Sequence, residues 1–199
     1  MAERTTEGLH PLSEGLHDAG PDQVLARALT AQEGALSAVR PALSALVTAA
    51  DLAAPALRNG GKLAYAGAGS SGLMALADCL EMLGTFGIPP DRTPMLFAGG
   101  ADALLKMTGG VEDDPALAAT DLSRAALGPQ DVVIAVSASG STPYTLAVIQ
   151  GARQAGVKVI GIANAGNDTV NAIKQAGEFG LVEQGQSLAA LIFFLQDVH

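Results

Sequence analysis

Hydroxyl side chains and glycines cluster at two places in this 199-residue chain. The first reads Tyr65-Ala66-Gly67-Ala68-Gly69-Ser70-Ser71-Gly72, and the second Ser137-Ala138-Ser139-Gly140-Ser141-Thr142-Pro143-Tyr144-Thr145. Each follows a short apolar run and precedes a stretch with helical spacing. Glycine lets the backbone come close to an anion, and a helix N-terminus presents free N–H groups and a favourable dipole. Ser70 and Ser71 in the first loop, and Ser137, Ser139, Ser141 and Thr142 in the second, add hydroxyl donors of the kind a compact phosphate needs. Pro143 suits a first helical turn, where its missing N–H is not required. One such loop would be explained by capping alone. Two at strand-to-helix junctions predict a shared anionic ligand, held by Gly69, Ser70, Ser71, Ser137, Ser139, Gly140, Ser141 and Thr142.

The spacing Gly67-x-Gly69-x-x-Gly72 also fits a dinucleotide fingerprint. That reading wants an acidic residue at the end of the next strand for the ribose. The next apolar run, Thr93–Phe97, ends instead in Ala98-Gly99-Gly100. No cofactor is therefore expected.

The elements that would position these loops follow from alternation. Strand candidates are Leu63–Gly67, Thr93–Phe97, Val132–Val136, Val157–Ile162 and Phe179–Val182. Helical stretches run over 71–83, 101–108, 114–126, 142–155 and 168–176. This order predicts a three-layer αβα sandwich with a five-stranded parallel sheet, whose ligands sit beyond the carboxyl ends of the strands. Ahead of it, residues 1–20 read as an extended arm, and 21–58 carry apolar residues at helical spacing. Pro41 and Pro55 there predict breaks or first turns.

Composition narrows the classes. Hydrophobic residues make up 49% and charged residues 16%, which excludes a disordered chain. A net charge of −9, with basic residues scattered, excludes a nucleic-acid backbone reader. Cys79 is the one cysteine, read as a small buried helix residue. His10, His17 and His199 lack metal-ligand spacing, and no metal is expected. The start MAERTTEGLH is polar, and Leu188–Leu195 falls far short of the ~20 residues a membrane span needs, so a soluble cytoplasmic protein is expected.

The pattern Ser137-x-Ser139-Gly140-x-Thr142 after an apolar run, with Gly67-x-Gly69-x-Ser71 before it, resembles the SIS domain of phosphosugar isomerases and phosphosugar-binding regulators. Within that superfamily the chain is similar to N-acetylmuramic acid 6-phosphate etherases. The likeness is carried by Gly67-Ala68-Gly69-Ser70-Ser71-Gly72, Ala98-Gly99-Gly100, Ala103-Leu104-Leu105-Lys106, Glu112-Asp113-Asp114 and Ser139-Gly140-Ser141-Thr142-Pro143-Tyr144. It runs from about Thr6 to about Ala176. It implies a flavodoxin-like SIS domain over 46–199, preceded by an arm and helices over 1–45, with a C-terminal end shorter than the family's. Leu73 and Ser141 stand where the family commonly has arginine.

The resemblance also implies two acid/base carboxylates, at the matching positions Glu81 and Glu112. The family's reaction cleaves the lactyl ether of N-acetylmuramic acid 6-phosphate, an amino sugar of cell-wall recycling, to N-acetylglucosamine 6-phosphate and D-lactate. Two other outcomes stay open on the same fold: a non-catalytic phosphosugar sensor and an aldose–ketose phosphosugar isomerase. At ~1.5 Å per residue, an unbroken helix puts Glu81 about 15 Å from Ser71. Either the helix bends or Glu81 serves the site of a second subunit, and a homodimer with its active site at the interface is expected.

Overall fold

The computed structural model describes residues 9–106, 109–163 and the backbone of 187–189. Its elements in order are α1 (Pro21–Ala38), α2 (Leu43–Arg58), β1 (Leu63–Gly67), α3 (Gly69–Phe86), β2 (Met95–Phe97), α4 (Gly100–Lys106), α5 (Ala116–Ala125), β3 (Val132–Ser137), α6 (Pro143–Gln154), β4 (Lys158–Ala163) and β5 (Ser187–Ala189). The five strands form one parallel sheet in the order β2-β1-β3-β4-β5. That is the doubly wound, flavodoxin-like order, with its switch point between β1 and β3.

Two core layers sandwich the sheet. On one face Tyr144, Val148 and Ala152 of α6 and Ala118 and Ala125 of α5 pack on Ala64, Ala66, Val133 and Ala135. On the other, Ala49 and Ala56 of α2 and Ala75, Cys79 and Met82 of α3 pack on Leu63, Tyr65, Val132 and Val136. Strand residues alternate between the faces, as the period of two requires. Helices α3 and α6 therefore leave adjacent strands toward opposite sides, which opens a crevice between their N-termini.

Several expectations shift at the edges. The second strand starts at Met95 rather than Thr93, because Pro94 has no N–H to give a ladder; its carbonyl accepts from the Tyr65 N–H at 2.9 Å. Pro41 does break the helices, within a 3-10 turn at Arg40–Ala42. Pro55 does not: it lies inside α2, where it lacks the N–H that would have bonded the Asp51 carbonyl one turn back. The part of the arm that is described is not extended but holds 3-10 turns at Pro11–Ser13 and Leu16–Asp18. His10 caps the first, its Nδ1 accepting from the Leu12 N–H at 3.1 Å. The helix expected over 168–176 and the strand Phe179–Val182 lie outside the described residues; the fifth strand is Ser187–Ala189. The helical stretch Pro21–Arg58 contains a window long and apolar enough to cross a membrane by composition.

Charged side chains with fixed partners gather at the end of the sheet remote from the hydroxyl loops. Arg92 Nε donates to the Gly61 carbonyl at 3.0 Å, and its Nη2 to the Leu57 carbonyl at 2.6 Å. Lys62 Nζ donates to the Ala125 carbonyl at 2.7 Å, closing the end of α5. Asp131, buried before β3, accepts from the Lys62 N–H at 2.7 Å and the Gly128 N–H at 2.8 Å. Asp131→Ala leaves both amides without that acceptor and is expected to cost about 3 kcal/mol in urea unfolding. An unchanged midpoint would show that water replaces the carboxylate.

Candidate functional site

Register sets the two loops side by side. Gly67, the last residue of β1, stands opposite Val136 of β3, so Ser137 lies one step beyond it. Both chains turn at the same level, at the carboxyl edge of the sheet and at its switch point.

The first loop is shaped by close approach. A Cβ on Gly67 would lie 2.9 Å from Gly72 Cα, and one on Gly72 would lie 2.6 Å from Phe97 Cε2. Gly69 has φ +52°, the left-handed region, which glycine enters without the Cβ penalty. Helix α3 thus starts directly on the strand end. Its N-cap is Ala68, which makes no side-chain cap bond, so Ser70 and Ser71 are not the helix's caps. The first-turn N–H groups of a helix have no acceptor within it, and no side chain caps them here. The same holds at α6, where the Thr142 N-cap also makes no side-chain cap bond.

Thr142 uses its hydroxyl otherwise: Oγ1 lies 2.8 Å from Ser137 Oγ. Ser139 Oγ accepts from the Ser141 N–H at 3.2 Å and from the Ser141 hydroxyl at 2.9 Å. Gly140, at φ +66°, makes the reversal between them. Ser71 joins the two loops, its Oγ accepting from the Ala138 N–H at 3.2 Å. Ser71 and Ser137 are buried, while Gly69, Ser70, Ser139, Gly140, Ser141 and Thr142 are half-buried. The expected ligand residues therefore form one continuous, partly open surface.

The two glutamates part company. Glu112 lies in a 3-10 turn, Val111–Asp113, and its Oε2 sits 3.5 Å from where a Cβ on Gly69 would be. It overhangs the first loop. Glu81 is exposed near the far end of α3 and accepts a hydrogen bond from the Thr85 hydroxyl. Within one chain the fold brings Glu112 to the hydroxyl loops and leaves Glu81 about 15 Å along the helix.

Both tyrosines of the chain lie behind the loops, and the sequence singled out neither for a role. Tyr65 donates to Asp78 Oδ2 at 2.6 Å and Tyr144 to Asp121 Oδ2 at 2.5 Å. Burial first, and the adjacent carboxylate second, hold both phenols well above their ordinary range, so both stay protonated donors. Thr145 Oγ1, also buried, has no hydrogen-bond partner among the described residues. Cys79 is buried as expected, its thiol donating to the Thr93 carbonyl at 3.1 Å and pushed up by burial.

Fold and site together define a doubly wound α/β protein with two uncapped helix N-termini converging on hydroxyl-rich loops at the switch point. Residues 30–164 match the SIS domain, and the chain belongs to that family. A relative named N-acetylmuramic acid 6-phosphate etherase, from Deinococcus radiodurans, is 42% identical over 161 residues, covering 81% of this chain and 53% of the relative. One of the same name from Rubrobacter xylanophilus is 37% identical over 164 residues, covering 82% and 54%. The chain thus spans about half the length of these curated relatives. Among solved structures, a phosphoheptose isomerase from Neisseria gonorrhoeae superposes with a TM-score of 0.60 at 19% identity, covering 87% of this chain and 85% of that one. Another from Francisella tularensis gives 0.59 at 18%, covering 89% and 87%. At such identities the likeness speaks for the fold alone.

Proposed function

We propose that this chain binds a sugar phosphate at the paired loops and acts as a carbon–oxygen lyase on N-acetylmuramic acid 6-phosphate, in the cytoplasm. The observation that carries the reading is the carboxylate of Glu112 standing over Gly69, between uncapped helix ends fit for a phosphate. The names of the relatives supply the substrate.

In the open-chain sugar, the C2 hydrogen lies α to an aldehyde. A carboxylate takes that proton, and the electron pair expels the lactyl oxygen from C3. A carboxylic acid protonates the departing oxygen, releasing D-lactate. Water then adds at C3, and a proton returns to C2 to give N-acetylglucosamine 6-phosphate. Each positioned proton transfer is typically worth about 10²–10⁴-fold. No metal or cofactor enters the balance.

Glu112 supplies one carboxyl from its own chain, and Glu81 reaches the site from a second copy. Support for a dimer comes from the surface around Glu81. Leu73, Leu80, Leu83 and Phe86 are exposed on the same helix, α3. Apolar exposure on this scale marks an association surface.

Incubation with N-acetylmuramic acid 6-phosphate is expected to release D-lactate. Binding without lactate would make the protein a sensor, and aldose–ketose interconversion without lactate an isomerase. The shared site has a sharper test. Glu81→Gln and Glu112→Gln proteins, each inactive, are expected to regain about one quarter of wild-type activity when mixed and allowed to exchange subunits, because half the dimers then carry one intact site. No regain in a mixture that demonstrably forms mixed dimers would place both glutamates in one chain's site or remove Glu81 from it.

A further inference from the structure

Tyr144 is the second residue of α6, inside the turn that the Leu146 N–H closes on the Thr142 carbonyl at 3.0 Å. Its ring is fully buried, so the ring and the hydroxyl loop cannot move independently. Its hydroxyl ends on Asp121 of α5, a carboxylate 6% exposed whose Oδ1 also takes the Arg124 guanidinium at 2.7 Å. A carboxylate that far from water is stable only with such partners, and losing one is felt locally.

Helix α5 is also the element into which the Glu112 turn runs. Asp114 Oδ1 accepts from the Ala116 N–H at 2.9 Å, fixing the entry to the helix. Val111, next to Glu112, packs on the core layer that contains Tyr144. Val111 also sits under the loop after β2, its Cγ1 3.0 Å from where a Cβ on Gly99 would be. The phosphate-loop end of α6 and the Glu112 end of α5 therefore share one buried tie.

We propose that Tyr144 and Asp121 are a positioning pair, which holds the second hydroxyl loop and Glu112 at a fixed separation. The proposal rests on the ligand site described above and adds residues that touch no ligand themselves. It predicts a localised effect. The chain supplies its own control, because Tyr65 makes the same bond to Asp78 well along α3, past the first loop.

Tyr144→Phe removes a buried hydroxyl bond and Tyr65→Phe a part-buried one to the exposed Asp78, and each keeps the ring. Both are expected to lower the urea midpoint, Tyr144→Phe the more because the carboxylate it leaves is buried. Tyr144→Phe alone is expected to speed amide exchange at 137–145 and 111–115 about tenfold and to raise the Kd for N-acetylmuramic acid 6-phosphate about tenfold. Tyr65→Phe should leave those amides and that Kd within about twofold. Asp121→Asn still accepts the hydroxyl bond and is expected to restore affinity that Asp121→Ala loses. Equal effects of the two tyrosine variants on the loop amides, or no effect of either, would overturn the pair. If the wild-type protein binds no N-acetylmuramic acid 6-phosphate, the proposed function fails instead. The exchange pattern then decides the pair alone: faster exchange confined to 137–145 and 111–115 upholds it, and a uniform or absent change overturns it.

Discussion

Glu112→Gln is expected to reduce D-lactate release by about 10³-fold while leaving sugar-phosphate binding within a few-fold of wild type. The amide keeps the shape of the side chain and its contact over Gly69, but it cannot carry a proton in either direction. A binding site that used Glu112 only to shape the pocket would tolerate the change in turnover and in affinity alike. The measurement is a coupled lactate assay beside calorimetric binding. Unimpaired turnover removes Glu112 from the chemistry, and loss of both binding and turnover makes it a structural prop. Asp113 and Asp114 follow directly in sequence, so Asp113→Asn is a useful companion to show that the effect is not one of local charge.

The second large effect concerns backbone packing. Gly67→Ala is expected to cost about 3 kcal/mol and to abolish phosphate binding. The added methyl would meet Gly72 Cα at 2.9 Å, Gly72 N at 3.0 Å and the Val136 carbonyl at 3.2 Å. All three are backbone atoms, so relief comes only by pushing α3 off the strand, and its N–H groups move with it. Gly34→Ala, within α1 and with nothing inside 4 Å of the new Cβ, should instead gain about 0.5–1 kcal/mol, the ordinary helix-interior difference. Urea midpoints for the pair separate close approach from general glycine entropy. Equal and small shifts would mean that the first loop has slack.

Much of this fold is legible in the sequence, because apolar runs ended by glycine or serine mark strands that enter helices. Leu63–Gly67 is a strand over the bounds its residues suggest, and β3 extends one residue further than Val132–Val136. The two hydroxyl loops are legible for the same reason: each sits at the junction where the period changes. What the sequence hides is approach between distant segments. Nothing near Glu112 says that its carboxylate will overhang Gly69, and only the family likeness singled it out. Tyr144 and Asp121 are separated by a helix turn, two loops and a strand, with no local pattern to pair them. Residues 9–20 read as extended because glycine and proline interrupt their period, yet His10 and Pro11 build a tight turn there. Pro55 misleads in the opposite sense, since α2 runs on through it to Arg58 despite the N–H it lacks.

The loop hydroxyls are already bonded to one another, Ser137 to Thr142 and Ser141 to Ser139. Capture of a phosphate as proposed would therefore be an exchange: each hydroxyl that turned to the ligand would release a neighbour. The net gain per contact is small, whereas a ligand of the wrong shape breaks the internal bonds and replaces only some of them. Such a loop rejects poor ligands more strongly than it rewards good ones.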